Sequence, residues 1–375
     1  MTKQDMPQTM RSVSRVQIES FTITCFSYPR DRVIGDSQVR SDWQHIGALE
    51  LHASNGCTGL GFFQSLFVPL PALVELERLF RETAVSDLIG QNPFTLVNRV
   101  TRPRGGNQQI NIFAEAINLA LWDINAQTVG LPLYQLLGGQ RQRVRAYASP
   151  LAFHLSDEAF CALLKRGQTM GFTAYKIKVG HPDLAWDVAR LQLARDTVGP
   201  EVILMADANE AWSPKEAIRR LHAYHDAGIT LYWIEDPCLR DDFIGLREIR
   251  QAVPFTHINS GEYLNLRGKR QLITQEGVDI LNIHGHISDG LRAGWLAAEY
   301  GLPVSLGNTM LEVGIHLAAS LPEANWIEYS FLNYNQLVEE PIQFVDGFAI
   351  APDRLGHGLV LSEKARRELS SSKKN

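Results

Sequence analysis

The sequence predicts an α/β barrel carrying a smaller capping domain, and three observations point there. First, intervals of 29, 28 and 27 residues separate Lys178, Asp207, Glu235 and Glu262, each at the end of a short apolar run. A near-constant interval marks a repeated strand–helix unit. Second, eight strand-like runs follow one another after Gly139, with helical stretches between most of them. Repeated β/α units close most naturally into a barrel, whose C-terminal strand tips are where catalytic groups converge. Third, the chain before Gly139 passes from strand-like to helical patterning and then stops at a glycine pair, which sets off a separate N-terminal unit. A length of 375 residues with 45% hydrophobic content is enough to fill two cores.

From Val16 to about Phe67, apolar and polar residues alternate, most clearly in residues 21–25 and 46–52. A small antiparallel sheet is expected, with the polar segment 30–42 as a mobile loop. Helical periodicity takes over at Ala72 and is clearest over residues 112–129, followed by the glycine stop at 138–139. The barrel strands are then expected at 143–149, 174–179, 202–207, 231–236, 257–262, 280–284, 303–307 and 326–329. The tail from Val338 onward begins with a further strand or loop at 341–348 and is expected to pack back on the first domain, fraying over 370–375. The domains are therefore 1–140 with 338–375 as the cap, and 141–337 as the barrel.

Composition excludes several partners. A net charge of −5 gives no basic surface for nucleic acid or an acidic membrane. Residues 1–15 are polar, which fits neither a signal peptide nor an anchor, and no segment approaches the roughly 20 apolar residues of a membrane span. Cys25, Cys57, Cys161 and Cys238 are scattered without metal-type pairing, so reduced thiols in a cytoplasmic protein are expected.

The chemistry lies at the strand ends. A single acid there often caps the following helix. Asp207, Glu235 and Glu262 together, evenly spaced around one mouth, are hard oxygen donors suited to one Mg²⁺ ion. Lys176 and Lys178 lie two apart on one strand, so both project to the same face. Two ammonium groups held close disfavour each other's charge, which lowers the pKa of one and makes a base near neutral pH.

These residues, with Ala120-Leu-Trp-Asp123, Asp207-Ala-Asn209, Ile234-Glu-Asp-Pro237, Ser260-Gly-Glu262 and Glu312 with His316-Leu-Ala-Ala319, resemble the enolase superfamily and, within it, the mandelate racemase and muconate lactonizing enzyme branch. The resemblance implies an α+β cap over a modified (β/α)7β barrel. It implies Asp207, Glu235 and Glu262 as metal ligands, Lys178 as base, Lys176 as its pKa-lowering neighbour and Asn209 as a polar contact near the metal. It also implies a small carboxylate substrate, a homo-oligomer, and removal of the proton α to the carboxylate by way of an ene-diolate stabilised by Mg²⁺.

The second wall departs from the family pattern. His284 stands where a strand-6 lysine or aspartate is expected, His286 follows two positions later, and Asn308 stands where the racemases carry histidine. The usual dyad is absent, and His284 is the candidate second acid/base, because histidine as a residue type can take or give a proton without special tuning. Glu328 matches a position that bonds the substrate carboxylate. The polar segment with Arg30, Asp31, Arg32, Asp36, Arg40 and Asp42, together with Arg102 and Arg104, offers hydrogen bonds and positive charge to hydroxyls or a distal carboxylate. The expected reaction is dehydration of a sugar acid, an aldonate or aldarate, to a 2-keto-3-deoxy acid. Racemisation or epimerisation, cycloisomerisation, and a metal-binding barrel without turnover acting as a binding protein are the alternatives.

Overall fold

Alternating apolar residues build a three-stranded antiparallel sheet from β1 (Ile18–Gly35), β2 (Arg40–Ala53) and β3 (Thr58–Ser65). The structure, a computed structural model, describes residues 13–98 and 112–370. Arg102, Arg104 and most of the polar N-terminus lie outside the described residues.

The segment 30–42 is not the expected loop. β1 pairs with β2 from Ile18 to Pro29, breaks register, and resumes at Ile34↔Ser41 and Gly35↔Arg40. The irregularity hides the two-residue period from the sequence. At the tip, Asp36 Oδ1 accepts the Gln38 and Val39 amides at 2.7 and 3.1 Å, closing the turn.

Helix α1 (Leu73–Thr83) and helix α2 (Ala114–Val129) cover the sheet, and α2 ends at Gly130 in the left-handed conformation, with φ of 73°. β3 lies directly on the α2 backbone. A Cβ at Gly59 would come within 2.0 Å of the Ala120 carbonyl, and one at Gly61 within 1.9 Å of the Ala116 carbonyl. Phe63, Leu76, Phe80 and Phe113 fill the core between them.

Eight parallel strands then form a closed barrel: β4 (Arg143–Ala148), β5 (Ala174–Lys178), β6 (Ile203–Asp207), β7 (Trp233–Glu235), β8 (His257–Ser260), β9 (Ile280–Ile283), β10 (Val304–Leu306) and β11 (Ala324–Tyr329), with β11 pairing back on β4. The intervening helices are α3 (Asp157–Thr169), α4 (Leu184–Val198), α5 (Pro214–Asp226), α6 (Phe243–Ala252), α7 (Leu266–Thr274), α8 (Ile287–Glu299) and α9 (Ile315–Ser320). Five of them start where Ser156, Asp183, Ser213, Asp242 and Asn265 accept a backbone amide of the first turn.

Alternation sorts each strand into two faces. Tyr175, Ile177, Leu204, Ala206 and Ile234 belong to the main core shared with the helices. Tyr147, Ala174, Met205, Trp233, Ile280 and Trp326 meet inside the barrel as an apolar floor. Two residues further along the same strands stand Lys176, Asp207, Glu235, Asn282 and Glu328. A polar layer thus rests on a dry one.

The tail divides between the two units. Its hairpin, β12 (Gln343–Val345) and β13 (Phe348–Ile350), pairs antiparallel on β4 and so extends the barrel wall. Beyond it the chain reaches the N-terminal unit. His357 donates its amide to Asp123 at 2.9 Å, its Nε2 lies 2.8 Å from the Leu60 carbonyl, and Arg366 pairs with Glu50 at 2.6 Å. Residues 371–375, where fraying was expected, lie outside the described residues. Among the described residues no helix is long and apolar enough to cross a membrane.

Candidate active site

Lys176 and Lys178 both point into the barrel mouth and both are buried. Lys176 Nζ lies 2.9 Å from each oxygen of Glu235, 3.2 Å from Glu328 and 3.3 Å from Asp207. Lys178 Nζ donates to Asp207 Oδ2 at 2.6 Å and to Asn209 Oδ1 at 2.7 Å. Asn209 in turn donates its amide to Asp207 Oδ1 at 2.9 Å. Glu328 accepts further hydrogen bonds from Tyr147 and Ser330, each at 3.2 Å.

The acids dominate the local field. Burial alone would lower both lysines, yet Glu235 and Glu328 carry Lys176 well above its ordinary value, and Asp207 raises Lys178. The depression expected from their mutual repulsion is outweighed by the neighbouring carboxylates. Burial would raise Asp207 too, but Lys178 and Lys176 bring it down to about 2. Burial drives Glu235 up against Lys176, helped by Asp207, Glu328 and Glu262.

The third acid sits apart from this cluster. Glu262 follows β8 by two residues, and the nearest imidazole nitrogen, His284 Nδ1, lies 3.9 Å from its Oε1. His284 Nδ1 has no hydrogen-bond partner, and its ring stands edge-on to Tyr263 at 5.2 Å. β9 is four strands from β5 in a ring of eight, so His284 faces Lys178 across the mouth. His284, His286 and Asn308 line a cavity of about 620 Å³ between barrel and cap, with Phe62, Leu66, Phe67 and Met310 on its walls.

Arg30 is not at this cavity. Its guanidinium is buried within the cap, where it donates to Ser41 and the Leu66 carbonyl, at 3.2 and 3.4 Å. Its place on a strand, rather than on a loop, is the reason. Arg32, one alternation further along β1, donates to the carbonyls of Pro150, Ser330 and Phe331 at 2.9 to 3.0 Å. It pins the hairpin to the barrel rim, and Gln38 at the tip donates to the Asn209 carbonyl.

Sequence reasoning passed over Tyr147 and the pair formed by Asp236 and Arg240. Asp236 accepts from Ser260 at 2.5 Å and forms an ion pair with Arg240 at 2.8 Å, which fixes the turn after Glu235, while burial holds its carboxyl up at about 7. Only the acidic residue following Glu235 hinted at this.

Among the described residues, no three His, Cys, Asp or Glu side chains stand arranged to hold a metal ion. The donor set nevertheless fits one. Asp207, Glu235 and Glu328 are buried against two ammonium groups and Glu262 is buried nearby, a formal excess of two negative charges on hard oxygen donors. The ammonium of Lys176 stands between Asp207 and Glu235 as a cation would.

A closed barrel with acids and lysines at its mouth and an antiparallel cap defines a class of enzyme, and sequence comparison gives the family. Residues 159–365 match the enolase C-terminal domain-like profile, and residues 38–138 match the N-terminal domain of mandelate racemase and muconate lactonizing enzyme. The chain belongs to the mandelate racemase and muconate lactonizing enzyme branch of the enolase superfamily. It is 35% identical over 257 residues to L-talarate/galactarate dehydratase of Salmonella typhimurium, a match covering 67% of this chain and 63% of that protein, a little under two thirds of its length. A crystal structure from Mesorhizobium loti, named provisionally as a mandelate racemase, is 52% identical, covers 94% of both chains and superposes with a TM-score of 0.91. The Salmonella dehydratase crystallised with Mg and L-lyxarohydroxamate superposes at 0.81, with 27% identity over 99% of this chain and 96% of that one. The relatives also include cycloisomerases and epimerases.

Proposed function

We propose that this chain removes the proton α to the carboxylate of a sugar acid and completes a dehydration to a 2-keto-3-deoxy acid. The observation that carries this reading is the placement of Lys178 and His284 on opposite walls of one mouth, with the acids between them. Asp207, Glu235 and Glu262 are the residues that would hold Mg²⁺. Bound there, the ion supplies positive charge against the charge that builds on the substrate carboxylate.

Lys178 takes the α-proton at Nζ. Burial and the Lys176 ammonium alongside favour the neutral amine of Lys178, against the Asp207 carboxylate, which raises it and which would be one of the residues holding Mg²⁺. Asn209 holds the Lys178 side chain in line. From the opposite wall, protonated His284 gives its proton to the β-hydroxyl, which departs as water, and the resulting enol tautomerises to the ketone. The apolar floor and the cap hairpin keep bulk water from the reacting groups.

His284 would equally serve to return a proton to the opposite face of the α-carbon, so epimerisation is the second reading. A barrel without turnover is disfavoured by the intact set of Lys178, Asp207, Glu235 and Glu262.

The test is incubation with Mg²⁺ and a panel of sugar acids in D₂O, reading α-deuterium by NMR and 2-keto product by carbonyl trapping. Exchange with keto product is expected, and His284→Asn should retain exchange while losing product. Exchange with inverted configuration and no ketone would turn the assignment to an epimerase. Silence across aldonates and aldarates would leave the binding-protein reading.

A further inference from the structure

Asn282 lies midway along β9, between Ile280 on the barrel floor and His284 at the rim. It is fully buried, and neither the oxygen nor the nitrogen of its carboxamide has a hydrogen-bond partner. Among the described residues no other buried side chain leaves two polar atoms unpartnered. The flanking strands provide a contrast. Asn259 on β8 and Ser305 on β10 bond each other at 3.0 and 3.3 Å, reaching past the strand that carries Asn282. An interior amide of this barrel is therefore satisfied where the sequence supplies a partner. Burying a carboxamide unpaired costs stability, and a fold that keeps one holds its donor and acceptor in reserve.

The position says for what. β9 stands opposite β5, so Asn282 faces the lysine wall one alternation below His284. Gly307, just past β10, brings it close to the acids: a Cβ there would lie 3.0 Å from Asn282 Oδ1 and 3.2 Å from Glu262 Oε1. Any larger residue at 307 would stand between the amide and the mouth.

We infer that Asn282 binds a hydroxyl of the substrate from the wall opposite Lys178, and that Gly307 leaves that contact unblocked. The inference rests on the proposed reaction at this mouth. A carboxamide both donates and accepts, as a hydroxyl does, and carries no charge. It selects a hydroxylated carboxylate over its alkyl counterpart.

The experiment uses Asn282→Leu, close to isosteric, and Gly307→Ala, which crowds the same amide from the next strand. Binding of five- and six-carbon aldonates, against pentanoate and hexanoate, is measured by calorimetry with Mg²⁺ present. The wild-type protein should prefer the hydroxylated acid, and Asn282→Leu should narrow that preference about tenfold or more with alkyl binding unchanged. Gly307→Ala should act in the same direction. Without ligand, Asn282→Leu should also melt higher, by about 2 °C or more, because an unpaired buried amide has been removed. A lower melting temperature, or failure to fold, would make the amide structural and overturn the inference. So would an unchanged preference in a wild-type background that does exchange its α-proton. If no aldonate binds or exchanges in the wild-type protein, the proposed reaction falls first and the Asn282 assignment with it.

Discussion

Lys178 and Lys176 are separated by one residue, share one face and both reach Asp207, yet their remaining partners differ. Lys178 reaches Asp207 and Asn209, whereas Lys176 is held between Glu235 and Glu328. Removing Lys178 takes away the group we propose as the base and leaves Glu235 and Glu262 untouched. Lys178→Ala should therefore lose at least about a thousandfold in α-proton exchange, measured by NMR in D₂O, with Mg²⁺ affinity within a few-fold of wild type by calorimetry. Glu235→Ala should do the reverse first, weakening Mg²⁺ by tenfold or more. Normal exchange in Lys178→Ala would remove the base assignment. Glu312 makes a separate prediction. Burial pushes its carboxyl from an ordinary 4.5 to about 8, so the folded protein holds a proton that the unfolded chain has released across that window. Stability is then greatest below about pH 4.5 and falls as pH rises toward 8, by at most about 1.4 kcal/mol per unit. Glu312→Gln should remove this slope, so its gain in melting temperature should be larger at pH 8 than at pH 5. An equal gain at both would show that the carboxyl is already paired.

At the scale of elements, the docking of β3 on α2 and the hairpin on the barrel rim decide how the cap sits. Gly59 and Gly61 bring strand and helix backbones together more closely than any side chain allows. Gly61→Ala should cost about 2–3 kcal/mol, read as a lower denaturation midpoint, because the helix must move outward to admit the methyl group. A midpoint unchanged from wild type would mean that the contact is looser than the structure has it. The barrel strands were legible in sequence because each is a short apolar run with a chemically distinct tip. The cap hairpin was not, since a register break between Pro29 and Ile34 interrupts its period and its polar side chains read as a loop. That is why Arg30 and Arg32 were expected at the ligand and are instead found bonding Ser41 and the rim carbonyls. Exposure could be guessed from polarity, but pairing could not.

In the whole molecule, seven helices, a closed sheet, a cap and a returning tail converge on one mouth that carries more acid than base. A cation that binds only the folded arrangement stabilises it by mass action. Mg²⁺ at a hundred times its dissociation constant should add about 2.7 kcal/mol, seen as a rise in melting temperature that a chelator reverses. No shift with Mg²⁺, in a protein that still folds, would argue against the carboxylate trio as its site.

The sequence by itself determined the barrel, its strand order and the identity of the acids and lysines, because even spacing and strand-end chemistry are local properties written in one dimension. Only the tertiary structure decided which acid each lysine holds, that His284 faces them from the opposite wall, and that Asn282 is left without a partner. Those facts depend on closure of the sheet, which sets residues far apart in the chain within a few ångströms of each other and determines which polar atoms are satisfied.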